Sequence, residues 1–345
     1  MNEFRNLVFE GGGIKGIAYG GALEELNGLD VLPKIKRVAG TSVGAINALL
    51  LALGYEVSEV SDLVAKTNFR EFEGNPHPKW WMLPGWGKSI KRLMNEYGGH
   101  SSDRFKEWLS EKIDRKTGNS EITFDQFSWL VMEDWVKKRE ERSGLKDLYV
   151  IGTDLSRKAI VIYSREHTPD VKIKDAICTS MSVPLLFEAQ FNSEDDVLVD
   201  GGVPYNYAVN IFDNERYLEK EVNGEDLKYD GTPGFKFNHE TLGFRLDCSK
   251  MIEDIKNNND FPPTPVENYR SCATEILDYM MEGGNRSHLQ GNDWHRTIFI
   301  DTLDVGATDF DIPQAKIEEL MDSGRRGVKE HFEWRNGAHG VDKPV

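Results

Sequence analysis

Cysteine is scarce in this sequence. Cys178, Cys248 and Cys272 are the only three in 345 residues. Their wide spacing and odd number fit neither a disulfide framework nor a metal cluster, and suit free thiols in a reducing compartment. Basic excess is missing as well: the net charge is −16, and no Lys/Arg-rich arm offers nucleic acid a surface, so nucleic acid is not an expected partner. Long apolar runs are absent. The longest, Ala45 to Leu53, falls far short of the ~20 residues that a membrane-spanning helix needs. Met1 to Asn6 carries no basic-then-apolar leader. The expectation is a protein without signal peptide or transmembrane segment, cytoplasmic or peripheral to a membrane. No internal repeat or low-complexity tract interrupts the chain. The acids at Asp195-Asp196 and from Asp301 to Asp304 have no flanking His or Cys pairs. Together with the lack of a D-x-D-x-D-G loop, this leaves no expected metal or other cofactor.

What the sequence does contain is a succession of short apolar strands and amphipathic helices. Asn6 to Phe9 reads as a buried strand, followed by a glycine-rich loop and by helical spacing from Ile17 to Leu26. A second strand runs through Val38 into Gly40-Thr41-Ser42-Val43-Gly44 and then into the apolar run from Ala45. Two strand-loop-helix units in a row predict a parallel sheet with helices on both faces. Further strands are expected at Leu148 to Gly152, Ala159 to Tyr163, Val197 to Val199, Thr241 to Leu246 and Thr297 to Asp301. Helices are expected at Lys172 to Met181, Val266 to Met281 and Pro313 to Met321. The chain reads as a single domain over residues 1–345, with a polar, helical, Trp-bearing insertion or cap at about 56–146.

Three motifs in this framework carry chemistry. In G-T-S-V-G, a tight strand-to-helix turn forces Ser42 into strained geometry at a helix N-terminus, while Gly40 and Gly44 leave room for neighbouring backbone. That position suits a nucleophile. Glu10-Gly11-Gly12-Gly13-Ile14-Lys15-Gly16 follows a strand and opens a helix, so its amides suit an anion. One reading is an oxyanion hole. Another is a dinucleotide site, since Gly11, Gly13 and Gly16 match G-x-G-x-x-G, although the second strand begins with Lys34-Ile35-Lys36-Arg37 and lacks the ribose-binding acid. On this second reading the chain is a non-enzymatic nucleotide-binding module. Val197-Leu198-Val199-Asp200-Gly201-Gly202 ends a strand with a carboxylate flanked by glycines, on the edge where open α/β sheets place their sites. A serine nucleophile also admits a histidine base, and His239, His288 and His295 lie downstream of the acid.

Taken together, E-G-G-G-I-K-G, G-T-S-V-G and D-G-G, in that order and on those elements, resemble the patatin-like phospholipases. Thr168 to Pro184 is similar to the family's helix-then-proline stretch, and Arg296 to Asp301 with the Gly324-containing helix is similar to its C-terminal strand and helix. The resemblance implies a three-layer α/β/α sandwich with a mainly parallel central sheet. It also implies a lipid acyl hydrolase acting on phospholipids or lysophospholipids through a Ser42–Asp200 dyad and an acyl-serine intermediate. Gly11, Gly12, Gly13 and Gly16 become the oxyanion loop, supported by Lys15, Gly40, Gly44, Gly201 and Gly202. A carboxylate is a weak base in water, so Asp200 would have to be desolvated to serve. A transacylase or neutral-lipid lipase would use the same residues. Some relatives need an activator, and this chain is open to one. Lys15 reads either as a cation that fixes the loop or senses the lipid phosphate, or as a solvated lysine.

Inside the insertion, Lys79 to Met94 places Trp80, Trp81 and Trp86 beside Lys88, Lys91 and Arg92, with no acid between them. Indoles at headgroup depth with cations toward phosphate describe a peripheral membrane contact. A helical hairpin with its tryptophans packed on the core is the alternative.

Overall fold

Strands buried on both faces belong inside a covered parallel sheet, and the computed structural model joins the expected ones in one eight-stranded sheet. It describes residues 4–66, 98–100, 102–138, 141–218, 234–257, 266, 291–309 and 311–337. The strands are β1 (Asn6–Phe9), β2 (Arg37–Thr41), β3 (Gly98–His100), β4 (Asp147–Asp154), β5 (Ala159–Tyr163), β6 (Leu185–Phe187), β7 (Gln190–Phe191), β8 (Val197–Asp200), β9 (Thr241–Asp247) and β10 (Thr297–Asp301). The helices are α1 (Ala18–Gly28), α2 (Val43–Ala52), α3 (Val57–Lys66), α4 (Asp103–Thr117), α5 (Phe124–Val136), α6 (Ile173–Ser180), α7 (Gly202–Tyr205), α8 (Ser249–Asn257) and α9 (Gln314–Arg335).

The order β10-β9-β1-β2-β4 is parallel throughout. Beyond it the direction reverses, because β5 and β8 both pair antiparallel with β4, and β7 pairs antiparallel with β8. β3 and β6 form a separate two-stranded parallel sheet. Alternate residues divide the core. Leu7, Phe9, Val38, Val150 and Phe244 face one large cluster built by α1 to α6 and α9. Val8, Ala39, Tyr149 and Ile151 face the opposite way, against Ala208, Phe212 and Tyr217 from the segment that follows α7. This is the three-layer arrangement. Helix α2 is buried along its whole length, as a helix apolar on every face but for Asn47 has to be; the Asn47 side-chain amide donates to the Val43 carbonyl within the helix at 3.1 Å.

Where the structure departs from the pattern reading, packing explains it. The C-terminal helix runs to Arg335, far past Met321. Gly324 and Gly327 lower helix propensity, and their role is tertiary: a Cβ on Gly324 would sit 2.0 Å from the Ala18 carbonyl oxygen, and one on Gly21 1.8 Å from that of Met321. The crossing of α1 and α9 therefore depends on missing side chains. Gly324→Ala should gain about 1 kcal/mol in helix propensity yet lose more through backbone overlap, for a net destabilisation of about 1–3 kcal/mol. A urea melt checks this, with a lowered midpoint expected.

The described part of residues 56–146 contributes α3, α4 and α5 to the large cluster through Val60, Val64, Leu109, Ile113 and Phe127. Trp108 and Trp135 pack partly buried against that cluster. Trp129 is half exposed. Trp80, Trp81, Trp86, Lys88, Lys91 and Arg92 lie outside the described residues, as do Cys272, His288 and positions 267–281 of the expected helix. Val266 is non-helical and exposed. Among the described residues, no helix is long and apolar enough to cross a membrane.

Candidate active site

β2 ends at Thr41 and α2 begins at Val43, so the whole turn falls on Ser42. Its backbone sits at φ 54° and ψ −129°, a left-handed conformation that costs a non-glycine residue about 1–3 kcal/mol. The flanking glycines allow it. A Cβ on Gly40 would lie 2.2 Å from the Gly44 carbonyl oxygen, and one on Gly44 would lie 2.5 Å from those of Phe9 and Glu10. The Ser42 amide donates to Ser180 Oγ at 2.9 Å, which ties the elbow to the end of α6. The Ser42 hydroxyl is buried and faces Met181 Sδ at 3.8 Å.

Asp200 reaches the elbow by a route the sequence reading did not foresee. Its strand does not point toward the carboxyl edge of the parallel strands, because β8 runs antiparallel to β4. Residues 150–151 of β4 pair with β2 on one edge and with β5 on the other, while residues 152–154 pair with β5 and with β8. β2 and β8 therefore share one edge of β4 and approach from opposite ends. Thr41 pairs with Ile151, and Asp200 pairs with Gly152. Consequently the two strands end against each other, bringing Ser42 and Asp200 together.

The carboxyl is held from several sides. The Gly202 amide donates to Asp200 Oδ1 at 2.6 Å. The Asp200 amide donates to the Ser182 carbonyl at 2.9 Å, and Thr153 Oγ1 donates to the Asp200 carbonyl at 2.8 Å. Gly201 has no room for a side chain, since a Cβ would meet the Ile151 carbonyl oxygen at 2.5 Å. Burial pushes the Asp200 carboxyl up to about 7, against the lowering effect of the Gly202 amide and of the Ser42 hydroxyl beside it. Oδ2 is buried and accepts no hydrogen bond of ordinary geometry among the described residues.

The glycine loop closes the third side. Gly11 fits between Asn206 and Ser42, where a Cβ would be 2.3 Å from Asn206 Oδ1 and 3.0 Å from Ser42 Cβ. Its amide is engaged by the Asn206 carbonyl at 3.4 Å. Gly13 adopts φ +57°, and a Cβ there would strike the Ala307 carbonyl oxygen at 2.0 Å. A short 3-10 turn, Gly13–Ile17, follows and leads into α1. Within it, Gly16 packs against Val43. Among the described residues, no carbonyl accepts from the amides of Gly12 and Gly13.

Lys15 is buried, which corrects the solvated reading: its stem packs on Gly12, and its charge lies near Glu10. Glu10 itself is buried and accepts from the Leu246 amide at 2.6 Å. Burial and Asp247 push its carboxyl well up, while Arg245 opposes them. Arg245, buried and paired with Asp247, thus sits behind the loop, a support that nothing in the local sequence announces. His239 and His295 lie together near Arg296 and Arg335, and His295 stacks on Trp334. Among the described residues, no histidine hydrogen-bonds to Ser42 or Asp200. Ser180 and Ser182, which fall in the Thr168–Pro184 stretch without an assigned role, and Asn206, which no motif marks, touch the elbow, the acid strand and the glycine loop; isolated Ser and Asn residues carry no periodic signal.

A mostly parallel sheet with a serine elbow at one strand end, a buried carboxylate against it and a glycine loop beside both defines an α/β fold of the patatin type. The patatin-like phospholipase family matches residues 7–213, and the chain belongs to it. With that membership it is a lipid hydrolase in the general sense. It is 28% identical to protein R571 of Acanthamoeba polyphaga mimivirus over 344 residues, covering 96% of this chain and 94% of that protein. A shorter stretch of 65 residues is 46% identical to the cUMP-AMP-activated phospholipase of Escherichia coli, covering 18% of this chain and 20% of that one. The crystal structure of VipD from Legionella pneumophila shares the fold, with a TM-score of 0.58, 16% identity, and coverage of 96% of this chain and 67% of VipD.

Proposed function

We propose that the chain hydrolyses carboxylic ester bonds of phospholipids or lysophospholipids through an acyl-Ser42 intermediate. Asp200 takes the Ser42 proton as Oγ bonds to the ester carbonyl carbon. The carbonyl oxygen becomes an oxyanion, which the amides of Gly12 and Gly13 receive. Collapse of that intermediate breaks the bond to the leaving alkoxide, which regains the proton from Asp200. Water then attacks the acyl-serine carbonyl as Asp200 takes its proton; collapse breaks the bond to Ser42 Oγ, which takes that proton back from Asp200, and the fatty acid leaves. The observation that supports this most is the end-to-end meeting of β2 and β8, which brings a buried hydroxyl against a carboxyl pushed up to about 7, with Gly11 of the glycine loop packed on Ser42.

Mass spectrometry of products from a mixed phospholipid and lysophospholipid pool tests the reading. Free fatty acid with the matching deacylated lipid is expected from the native chain and none from Ser42→Ala. Transfer of the acyl chain to an added alcohol in preference to water would make the enzyme a transacylase. Absence of any Ser42-dependent product would reject the proposal. Running the same assay with and without cUMP-AMP, the compound in the Escherichia coli relative's name, decides whether such activation applies here.

A further inference from the structure

The geometry points to Asn206 as a positioning residue that aims the Gly12 amide at the oxyanion, an assignment resting on the function proposed above. Asn206 is buried. Its Nδ2 donates to the Gly11 carbonyl at 3.0 Å, while its own carbonyl receives the Gly11 amide at 3.4 Å. Gly11 is thus gripped at both ends of its backbone, with no space for a side chain between it and Asn206.

The consequence follows from peptide planarity. The Gly11 carbonyl and the Gly12 N–H belong to one rigid plane and point in opposite directions. A side-chain amide that fixes the oxygen therefore fixes the direction of the N–H, on the side away from Asn206. Without that donor, the buried Gly11 carbonyl would be left without its side-chain partner, and the peptide would be free to rotate toward another one.

Asn206 also sits where it can coordinate the three motifs. It follows α7, whose first residue, Gly202, donates to Asp200 Oδ1. The carbonyl of Tyr205 accepts from Thr41 Oγ1 at 3.4 Å, next to Ser42. One helical turn therefore links the carboxylate, the elbow and the glycine loop.

The test compares the full-length native chain with Asn206→Ala and Asn206→Asp. The second variant keeps the shape but sets an acceptor against the Gly11 carbonyl. Assays at pH 9 keep Asp200 ionised. Three readouts are used: kcat and KM on a phospholipid, affinity for a trifluoromethyl ketone lipid analogue that adds Ser42 Oγ to form an oxyanion, and labelling of Ser42 by a fluorophosphonate. The expected result is a fall of about 10²-fold in kcat, the size associated with loss of one oxyanion donor. A matching fall in analogue affinity, a KM within about twofold of native, and slower but complete labelling should accompany it. A generally loosened structure would not lower analogue affinity in step with kcat while sparing KM. Native kcat and analogue affinity in either folded variant would overturn the assignment, and Asn206→Asp carries the test if Asn206→Ala fails to fold. A native chain left unlabelled at Ser42 would instead overturn the function on which the assignment rests.

Discussion

Asp200→Asn is expected to abolish turnover and, at the same time, to make the protein more stable. The amide has no basic oxygen to take the Ser42 proton, so kcat should fall by at least about 10³-fold, the upper part of the range for losing a general base together with its charge. Stability moves the other way, and its pH dependence has a definite sign. In the unfolded chain the carboxyl ionises around its ordinary value of 3.8, whereas in the fold burial holds it up to about 7. Below pH 4 both states are protonated and Asp200 favours neither. Between about 4 and 7 the folded state binds the extra proton, so folding stability falls as pH rises, and above 7 the loss is complete. The distance between the two values corresponds to about 4 kcal/mol at most. Asp200→Asn lacks this slope. Its melting temperature should match the native one near pH 4 and exceed it progressively up to pH 8, and equal melting at every pH would show that Asp200 is not desolvated. The native enzyme should also lose kcat about tenfold per pH unit below 7, as Asp200 becomes protonated.

Ser42 carries the second large effect, and two substitutions separate its chemistry from its strain. Ser42→Ala removes the nucleophile but leaves a side chain at φ 54°, so activity should drop by at least about 10⁴-fold with little change in stability. Ser42→Gly should be equally inactive. It should also melt higher, because glycine enters this conformation without the cost of about 1–3 kcal/mol borne by a residue with a Cβ. That gain is reduced by the greater freedom of glycine in the unfolded chain. A fluorophosphonate probe should label the native chain alone. Labelling that persists in Ser42→Ala would move the nucleophile elsewhere, and a Ser42→Gly variant less stable than Ser42→Ala would show that the elbow stores no strain.

Both effects reflect a site that is unfavourable for folding in isolation. A left-handed serine and a buried carboxyl with one oxygen unbonded each destabilise the native state, and the large cluster of apolar side chains under α1, α2 and α9 offsets them. The same trade appears behind the glycine loop, where Glu10, Arg245 and Asp247 are buried together.

Much of this was legible from the chain alone. Short continuous apolar runs marked β1, β2, β4, β9 and β10, since strands covered on both faces have to be apolar, and the glycine patterns at 11–16 and 40–44 marked tight turns at strand ends. Local chemistry determined these features, because backbone conformation depends on side chains a few residues away. Tertiary structure decided the rest. No local pattern says that β8 runs against β4 and stops where β2 stops, that Gly324 is a helix crossing and not a helix end, or that Lys15 is buried. Nor does any pattern single out Asn206. Those outcomes depend on residues far apart in sequence competing for the same space, and only the folded chain brings them into contact.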